Sequence, residues 1–526
     1  MRGLVQTRRA ARIPRPRRVL AFGEAGEYFP PAMPTITLDG RSLSIADVVA
    51  VARQGATVAI APGALGGVRA SRAAVEAAIA RGETMYGVNT GFGKLANIRI
   101  PPDKLRDLQR NLIRSHASGV GDPLADEAVR AMMLLRANVL LMPTSGVRPV
   151  LAELLVEMLN RRIHPRVPSQ GSVGASGDLA PLSHLALALI GEGPDGAKLA
   201  AAGLTPVTLE AKEGLAFING TQAQTGLATL LVHDAWSLWR AAHGAAAMSL
   251  EAVRGTPVPF DARIHDVRPH PYQQRSAALF RTLLEASEIR ESHRHNDPRV
   301  QDAYSIRCTP QVLGAVGESL AFAERIVTTE LNAATDNPLV FGAEIISGGN
   351  FHGQPIALAL DVLAIGLVTL INLSERRLER VVNPDLSSGL PAFLAVEPGV
   401  ESGFMTPQIV AAALVADARV LATPASVQSV PTEGNQEDVV PMGMTAAWKA
   451  RRILENGERV VAIELLAGAQ GIETHRPLQA GRGVERLYAA VRADAARLTG
   501  DRPFSDDIER VAAGIRAGRF VAAEGP

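Results

Sequence analysis

Gly171-Ser172-Val173-Gly174-Ala175-Ser176-Gly177-Asp178-Leu179-Ala180-Pro181-Leu182-Ser183-His184 is the stretch around which this chain is organised. Three of the least bulky residues stand in a row, Ala175-Ser176-Gly177, with Gly171 and Gly174 just upstream and a helix-like apolar run over 182–190 just after. Glycine lets a backbone fold into turns that other residues resist. In such a turn the amide nitrogen of Gly177 can be pressed onto the carbonyl carbon of Ala175, because neither neighbour carries bulk. Ring closure and loss of two waters would leave Ser176 as a dehydroalanine inside a five-membered imidazolone. That product is an electrophile, which the twenty side chains otherwise lack. The bare tripeptide is built from common residues and in isolation reads as a surface loop. The rest of the chain has to supply partners for such a group.

Composition sets the outer bounds. A length of 526 residues suggests three to four domains by size alone, but long helical patterns that share one interior argue for fewer. The single Cys308 excludes an internal disulfide framework and favours a reducing compartment. Residues 1–32 carry seven Arg against two Glu, a net of +5, so the remainder, within a total of +1, carries −4. A mildly acidic body is a poor nucleic-acid binder. The Arg-rich head has the charge of a transit peptide or basic arm; the reading adopted is a disordered extension or mis-assigned start, with Met33-Pro34-Thr35 as the natural beginning. The most membrane-like run, 356–373, contains Asp361 and Asn372, which fits a buried helix of a large helical protein better than a span. No membrane partner is expected.

Along the chain, 35–38 and 56–61 read as strands flanking a helix at 45–53. A helix is expected over 71–81 with Ser71 as N-cap and Gly82 past its end. Helical patterns return at 104–116, 126–142 and 147–162. After Asn219-Gly220 the helices lengthen: 221–254, 311–335, 356–380, 408–422 and 442–473. Spans of this length point to an α-helical bundle. The segments 256–300, 336–355, 383–407 and 424–441 read as irregular, and loops of that length tend to carry chemistry.

Several loops hold reactive side chains. Tyr86-Gly87-Val88-Asn89-Thr90-Gly91-Phe92-Gly93-Lys94 is not a phosphate cradle: Val88 stands where a glycine is required, and Leu95 replaces the magnesium-holding hydroxyl. It reads instead as a flexible lid presenting Tyr86. In Gln301-Asp302-Ala303-Tyr304-Ser305-Ile306-Arg307, a helix would put Tyr304 and Arg307 on one face. Arg offers a planar fork for a carboxylate and Tyr a phenol that can move protons. The stretch 293–297, His-Arg-His-Asn-Asp, matches no usual zinc spacing and reads as a solvated loop, so no metal is expected.

Together with Glu213-Gly214-Leu215-Ala216-Phe217-Ile218-Asn219-Gly220-Thr221, the 330–338 segment and Gly349-Asn350-Phe351-His352-Gly353-Gln354-Pro355, these motifs closely resemble the aromatic amino acid ammonia-lyases and aminomutases. Those enzymes use a methylidene-imidazolone (MIO) group, and the resemblance spans roughly residues 35 to 520. It implies a mainly α fold of the fumarase-like kind: a smaller N-terminal lobe with some α/β character over 33–215, carrying lid and MIO loop, and a long-helix bundle over 216–526. It implies MIO made autocatalytically from Ala175, Ser176 and Gly177, no external cofactor, and a cytoplasmic homotetramer with sites shared between subunits. By the same resemblance Tyr86 is a catalytic phenol, Arg307 binds the substrate carboxylate, and Tyr304 and Gln301 lie near the reacting centre. Asn219 would hydrogen-bond the MIO or the substrate, and Phe351 would line the pocket.

Two positions bear on substrate. Ser115-His116 resembles the version found in histidine-specific members, and Glu437 in Asn435-Gln436-Glu437-Asp438 stands where tyrosine and phenylalanine enzymes typically have Gln. A carboxylate and His116 suit the N–H donors of an imidazole. L-Histidine is therefore the implied substrate, with a tyrosine or phenylalanine lyase or aminomutase as the alternative. Val439-Val440-Pro441-Met442 departs from the family's usual His-Val-Ser-Met. Tyr86, Tyr304 and Glu437 all remain candidates for the base that removes the β-proton.

Overall fold

The computed structural model describes residues 34–521, so the basic head falls outside the described residues. The fold is mainly α-helical. Its centre is a set of long helices, Gln222–Ala252, Thr309–Glu330, Gln354–Val382 and Gly443–Glu473, with Met405–Leu421 alongside. Gln222–Ala252 is buried on nearly every side, as a helix rich in Ala and Leu on all faces must be. Small residues let its neighbours approach: a side chain at Gly457 would crowd Ile371 and Leu238. Arg377 and Glu464 form a fully buried ion pair at 2.6 Å between two of these helices, and Ser249 donates to Glu464 from a third. Pairing and hydrogen bonding make such buried charges tolerable.

The smaller N-terminal part contains a parallel strand pair, Ile36–Leu38 with Val58–Ile60, and the helices Ala64–Ala80, Leu105–His116, Asp126–Leu140 and Val150–Asn160. The division expected at 215/216 falls inside the Glu213–Ile218 helix, and one hydrophobic cluster runs through residues on both sides, from Leu38 to Phe520.

Three expectations need correction. Ser71 does not cap a helix; it lies within Ala64–Ala80 and its hydroxyl donates to the Val68 carbonyl at 2.9 Å. The helix runs through Gly66-Gly67, and Gly67 packs against Pro143 where there is no room for a side chain. The segment 256–300 is not irregular throughout: Pro271–Leu283 is a helix with Pro at its first turn, where a missing N–H costs nothing. Likewise 336–355 holds a hairpin, Leu339–Phe341 with Glu344–Ile346. Among the described residues, Gln354–Val382 is the one helix long and apolar enough to cross a membrane by length and composition; here it packs in the bundle, with Ile356, Leu360, Leu363, Leu367 and Leu370 buried.

Three of the long helices begin at the same place. Thr221, Gly353 and Met442 are the N-caps of Gln222–Ala252, Gln354–Val382 and Gly443–Glu473, and all three helix starts meet the 171–178 loop.

Candidate active site

The loop is held by backbone groups that a helix N-terminus leaves without internal partners. Gly353 N–H donates to the Gly174 carbonyl at 3.0 Å, and Met442 N–H donates to the Val173 carbonyl at 2.9 Å. Asp178 takes the Gln224 N–H, in the first turn of Gln222–Ala252, at 2.8 Å, and the Ser172 hydroxyl at 2.9 Å. Asp178 is fully buried, and burial pushes its carboxyl up to about 6 despite those donors. The partial positive charge of three helix starts is thus concentrated on one short loop.

Within it, Gly177 has φ +76°, and a side chain there would overlap the backbone of Gly220. Only glycine suits that position. Asp178 N–H closes the contact by donating to the Gly220 carbonyl at 2.7 Å. Asn219, nearly fully buried, donates its Nδ2 to the Ser176 carbonyl at 2.8 Å. Its Oδ1 is buried and accepts from nothing among the described residues.

Ala175, Ser176 and Asn219 form one wall of a cavity of about 570 Å³. Leu112, Leu179, Leu215, Ile218, Phe92 and Phe351 supply apolar lining, while Tyr86, His116 and Glu437 supply polar groups. Tyr86 comes from the lid, whose backbone is tied by Asn89: its Oδ1 accepts from Met85 N–H at 2.8 Å and its Nδ2 donates to the Glu83 carbonyl at 2.7 Å. The Tyr86 hydroxyl oxygen accepts from Gly93 N–H at 3.2 Å. Burial, with Glu433 and Glu437 nearby, holds the phenol above its ordinary value, so it is protonated near neutrality.

His116 closes the Leu105–His116 helix, with Nδ1 2.9 Å from the Leu112 carbonyl. That contact assigns the proton to Nδ1 and leaves Nε2 as an acceptor. Burial lowers the ring's affinity for a second proton. Glu437 is braced across a tight turn: Thr432 donates its hydroxyl to Oε2 at 2.6 Å and its N–H to the Glu437 carbonyl at 2.8 Å. Oε1 of Glu437 is buried and unpartnered among the described residues. An unmet acceptor of this kind costs about 1–3 kcal/mol until a donor arrives.

The structure separates the expected site residues into two groups. Tyr86, His116, Ala175, Ser176, Asn219, Phe351 and Glu437 share this cavity, with Gly177 buried behind them. Ser115 does not face it; its hydroxyl donates to the Leu112 carbonyl at 3.1 Å, and it borders an adjoining apolar hollow. Gln301 and Arg307 line a different depression, with Tyr304 beside them, 73% exposed. Arg307 donates to Gln301 Oε1 and stacks over the Tyr304 ring at 5.5 Å, so these three form a cluster of their own. The motif does hold them together, with Tyr304 and Arg307 on one short helix and Gln301 in the bend before it, but within one chain they are not at the cavity.

Sequence reasoning missed Glu433, Lys94, Asn337 and His352 as cavity residues. Lys94, Asn337 and His352 lie inside motifs already noted; Glu433 carried no signal beyond its closeness to Glu437. Glu433, Gly434 and Asn435 have φ of 51°, 61° and 65°, three successive left-handed residues. For Glu433 that conformation costs about 1–2 kcal/mol.

Comparison with known proteins places this geometry in context. The family model "Aromatic amino acid lyase" matches residues 43–493. A histidine ammonia-lyase from Sorangium cellulosum (strain So ce56) is 50% identical over 503 residues, covering 92% of this chain and 98% of the relative. Among solved structures, a tyrosine aminomutase from Streptomyces globisporus superposes with a TM-score of 0.88 at 41% identity, covering 92% of this chain and 97% of that one. A histidine ammonia-lyase from Trypanosoma cruzi gives 0.85 at 44% identity, covering 92% and 94%.

Proposed function

The chain belongs to the aromatic amino acid lyase family, and from that premise we propose that it is a histidine ammonia-lyase, converting L-histidine to trans-urocanate and ammonia as the first step of histidine degradation. The observation that carries the substrate choice is the unpartnered Oε1 of Glu437 in the same cavity as His116. A protonated imidazole can give one N–H to Glu437 and the other to Nε2 of His116. A phenyl ring would leave the carboxylate desolvated and unpaired, at a cost of several kcal/mol.

The residues at 175–177 fit the MIO group. Gly177 sits where no side chain is tolerated, and Asn219 clamps the Ser176 carbonyl while its Oδ1 stays buried without a partner among the described residues. When formed, the group supplies an electrophilic carbon that makes the amine a better leaving group. Asn219 fixes the loop and offers Oδ1 to the substrate amine. Tyr86, protonated and lining the cavity, holds a proton beside the reacting carbons; Glu437 is a carboxylate within the same space. His116, Glu437 and Phe351 orient the ring so that the β-hydrogen is presented in one geometry.

The substrate carboxylate needs a cation, and the Gln301–Tyr304–Arg307 cluster is the natural source once supplied by a second copy. We therefore assign a homotetramer in which copies complete one another's cavities, working in the cytoplasm without external cofactor. Apolar side chains left exposed on two long helices support such an assembly: Leu358 and Ile365 on Gln354–Val382, and Ile409 and Val420 on Met405–Leu421. The lobe of residues 33–215 would carry lid and loop, and the bundle from 216 would carry assembly.

Incubating the purified protein with L-histidine, L-tyrosine and L-phenylalanine tests the reading: urocanate should form fastest. A tyrosine-directed lyase or aminomutase is the second reading, favoured by the likeness to the Streptomyces globisporus enzyme, and cinnamate-type or β-amino products would establish it.

A further inference from the structure

Glu433 has no place in the chemistry above, yet its side chain borders the cavity that holds Ser176 and Glu437. Its backbone is held in the left-handed region by the turn that braces Glu437, through Thr432 N–H to the Glu437 carbonyl at 2.8 Å and Gln436 N–H to the Glu433 carbonyl at 3.2 Å. The carboxylate occupies the space that a side chain at Gly93 would need. Gly93 itself has φ +51° and gives its N–H to Tyr86. The lid is thus shaped around this carboxylate. Among the described residues neither of its oxygens has a hydrogen-bond or ion-pair partner.

The charges facing Glu433 can be named. Tyr86 and Lys94 come from the lid, His116 from the Leu105–His116 helix, His352 from the segment before Gln354–Val382, and Glu437 and Asp438 from its own loop. Within one copy three carboxylates face one ammonium, and the Arg307 that a second copy would bring is taken up by the substrate carboxylate. Partial desolvation and the neighbouring Glu437 both push the Glu433 carboxyl above its ordinary value, while the residue itself stays exposed within a single copy of the chain.

We propose that Glu433 is a specificity-determining residue: with Glu437 it makes a two-carboxylate recess that selects a substrate side chain bearing N–H donors and able to carry a positive charge. This rests on the histidine-lyase reading and extends it. Glu437 meets one ring N–H; Glu433 supplies the second negative charge, so that the bound imidazole is favoured in its protonated form. A phenol or phenyl ring gains nothing from Glu433, which adds discrimination beyond that of Glu437 alone. The device depends on Gly93, since any larger residue there would displace the carboxylate.

Steady-state deamination of L-histidine between pH 8.5 and 6.5 tests this in the full-length enzyme carrying Glu433→Gln, Glu433→Asp or Glu433→Asn. Asn tolerates the left-handed backbone, so that variant removes the charge without straining the turn. The imidazole of free histidine gains its proton near pH 6.5. The Gln and Asn variants should raise KM about tenfold, the loss of one charge-assisted contact, with kcat within about twofold. The rise in KM should widen as the pH falls through that range, and Asp should restore much of the wild-type value. A KM unchanged at every pH, a rise that does not depend on pH, or a loss confined to kcat would overturn the assignment of Glu433 while leaving the lyase reading in place. Failure of the unaltered enzyme to form urocanate would overturn both.

Discussion

Asn219 donates to the Ser176 carbonyl at 2.8 Å through Nδ2, while the buried Oδ1 of the same amide has no donor among the described residues. One side chain thereby fixes the reactive loop and keeps a buried, unpartnered acceptor. Asn219→Ala should lower kcat/KM about 10²- to 10³-fold, the usual effect of removing one preorganised polar group from a reacting centre. The melting temperature should move little by comparison. A matched set of kinetic and thermal measurements checks this, and equal losses in both would reduce Asn219 to a structural residue.

Glu437 and His116 should act on the same ring. Replacing Glu437 by Gln keeps the shape and the Thr432 contact but removes the charge, and should reduce kcat/KM for L-histidine by about 10- to 100-fold. L-Phenylalanine, which cannot donate to that carboxylate, should be tolerated relatively better by the variant. Because both groups touch one substrate moiety, the Glu437→Gln, His116→Ala pair should be non-additive. Strict additivity in the double-mutant cycle would place them on different parts of the substrate.

Glu251 gives a pH dependence of stability unconnected with the site. It is 2% exposed, accepts from Gly481 N–H at 2.9 Å and from the Ser287 hydroxyl at 2.8 Å, and burial pushes its carboxyl up to about 7 from the usual 4.5. A folded-state value raised above the unfolded one means that the protonated form is the stabilised one. That contribution is full below about 4.5 and is lost as the pH rises through about 7, some 3 kcal/mol in order of magnitude. Glu251→Gln, which mimics the protonated form and cannot ionise, should therefore match wild type near pH 5 and exceed it near pH 8. Denaturation midpoints at the two pH values decide the matter; a constant difference would remove Glu251 as the cause.

Much of this was legible in the sequence because the reactive parts are local. The loop around Ser176, the lid that carries Tyr86 and the Tyr304–Arg307 turn are each short strings whose chemistry needs no distant contact to be named. The long helices were legible from their apolar patterning. What could not be read was convergence. Nothing in the string says that the helices starting after Thr221, Gly353 and Met442 all begin at one loop, since that depends on how the bundle packs. Nor does spacing reveal that Arg307 and Gln301 lie away from Ser176 in a single chain, because a side chain's neighbours are set by tertiary and quaternary contacts. Ser71 misled for a related reason: a hydroxyl ahead of an Ala-rich run has the pattern of a cap, but the helix starts earlier, at Ala64, and runs straight through it. Glu433 was invisible because its importance lies in an empty position opposite, at Gly93.

The central claim is that Ala175, Ser176 and Gly177 condense into the electrophile on which turnover depends. Peptide mapping of the active, native protein by mass spectrometry tests it most directly. The peptide spanning 171–184 should be lighter than its sequence by two waters, and the unmodified peptide should predominate only in an inactive Ser176→Ala control. An intact Ser176 hydroxyl in fully active enzyme would contradict the account.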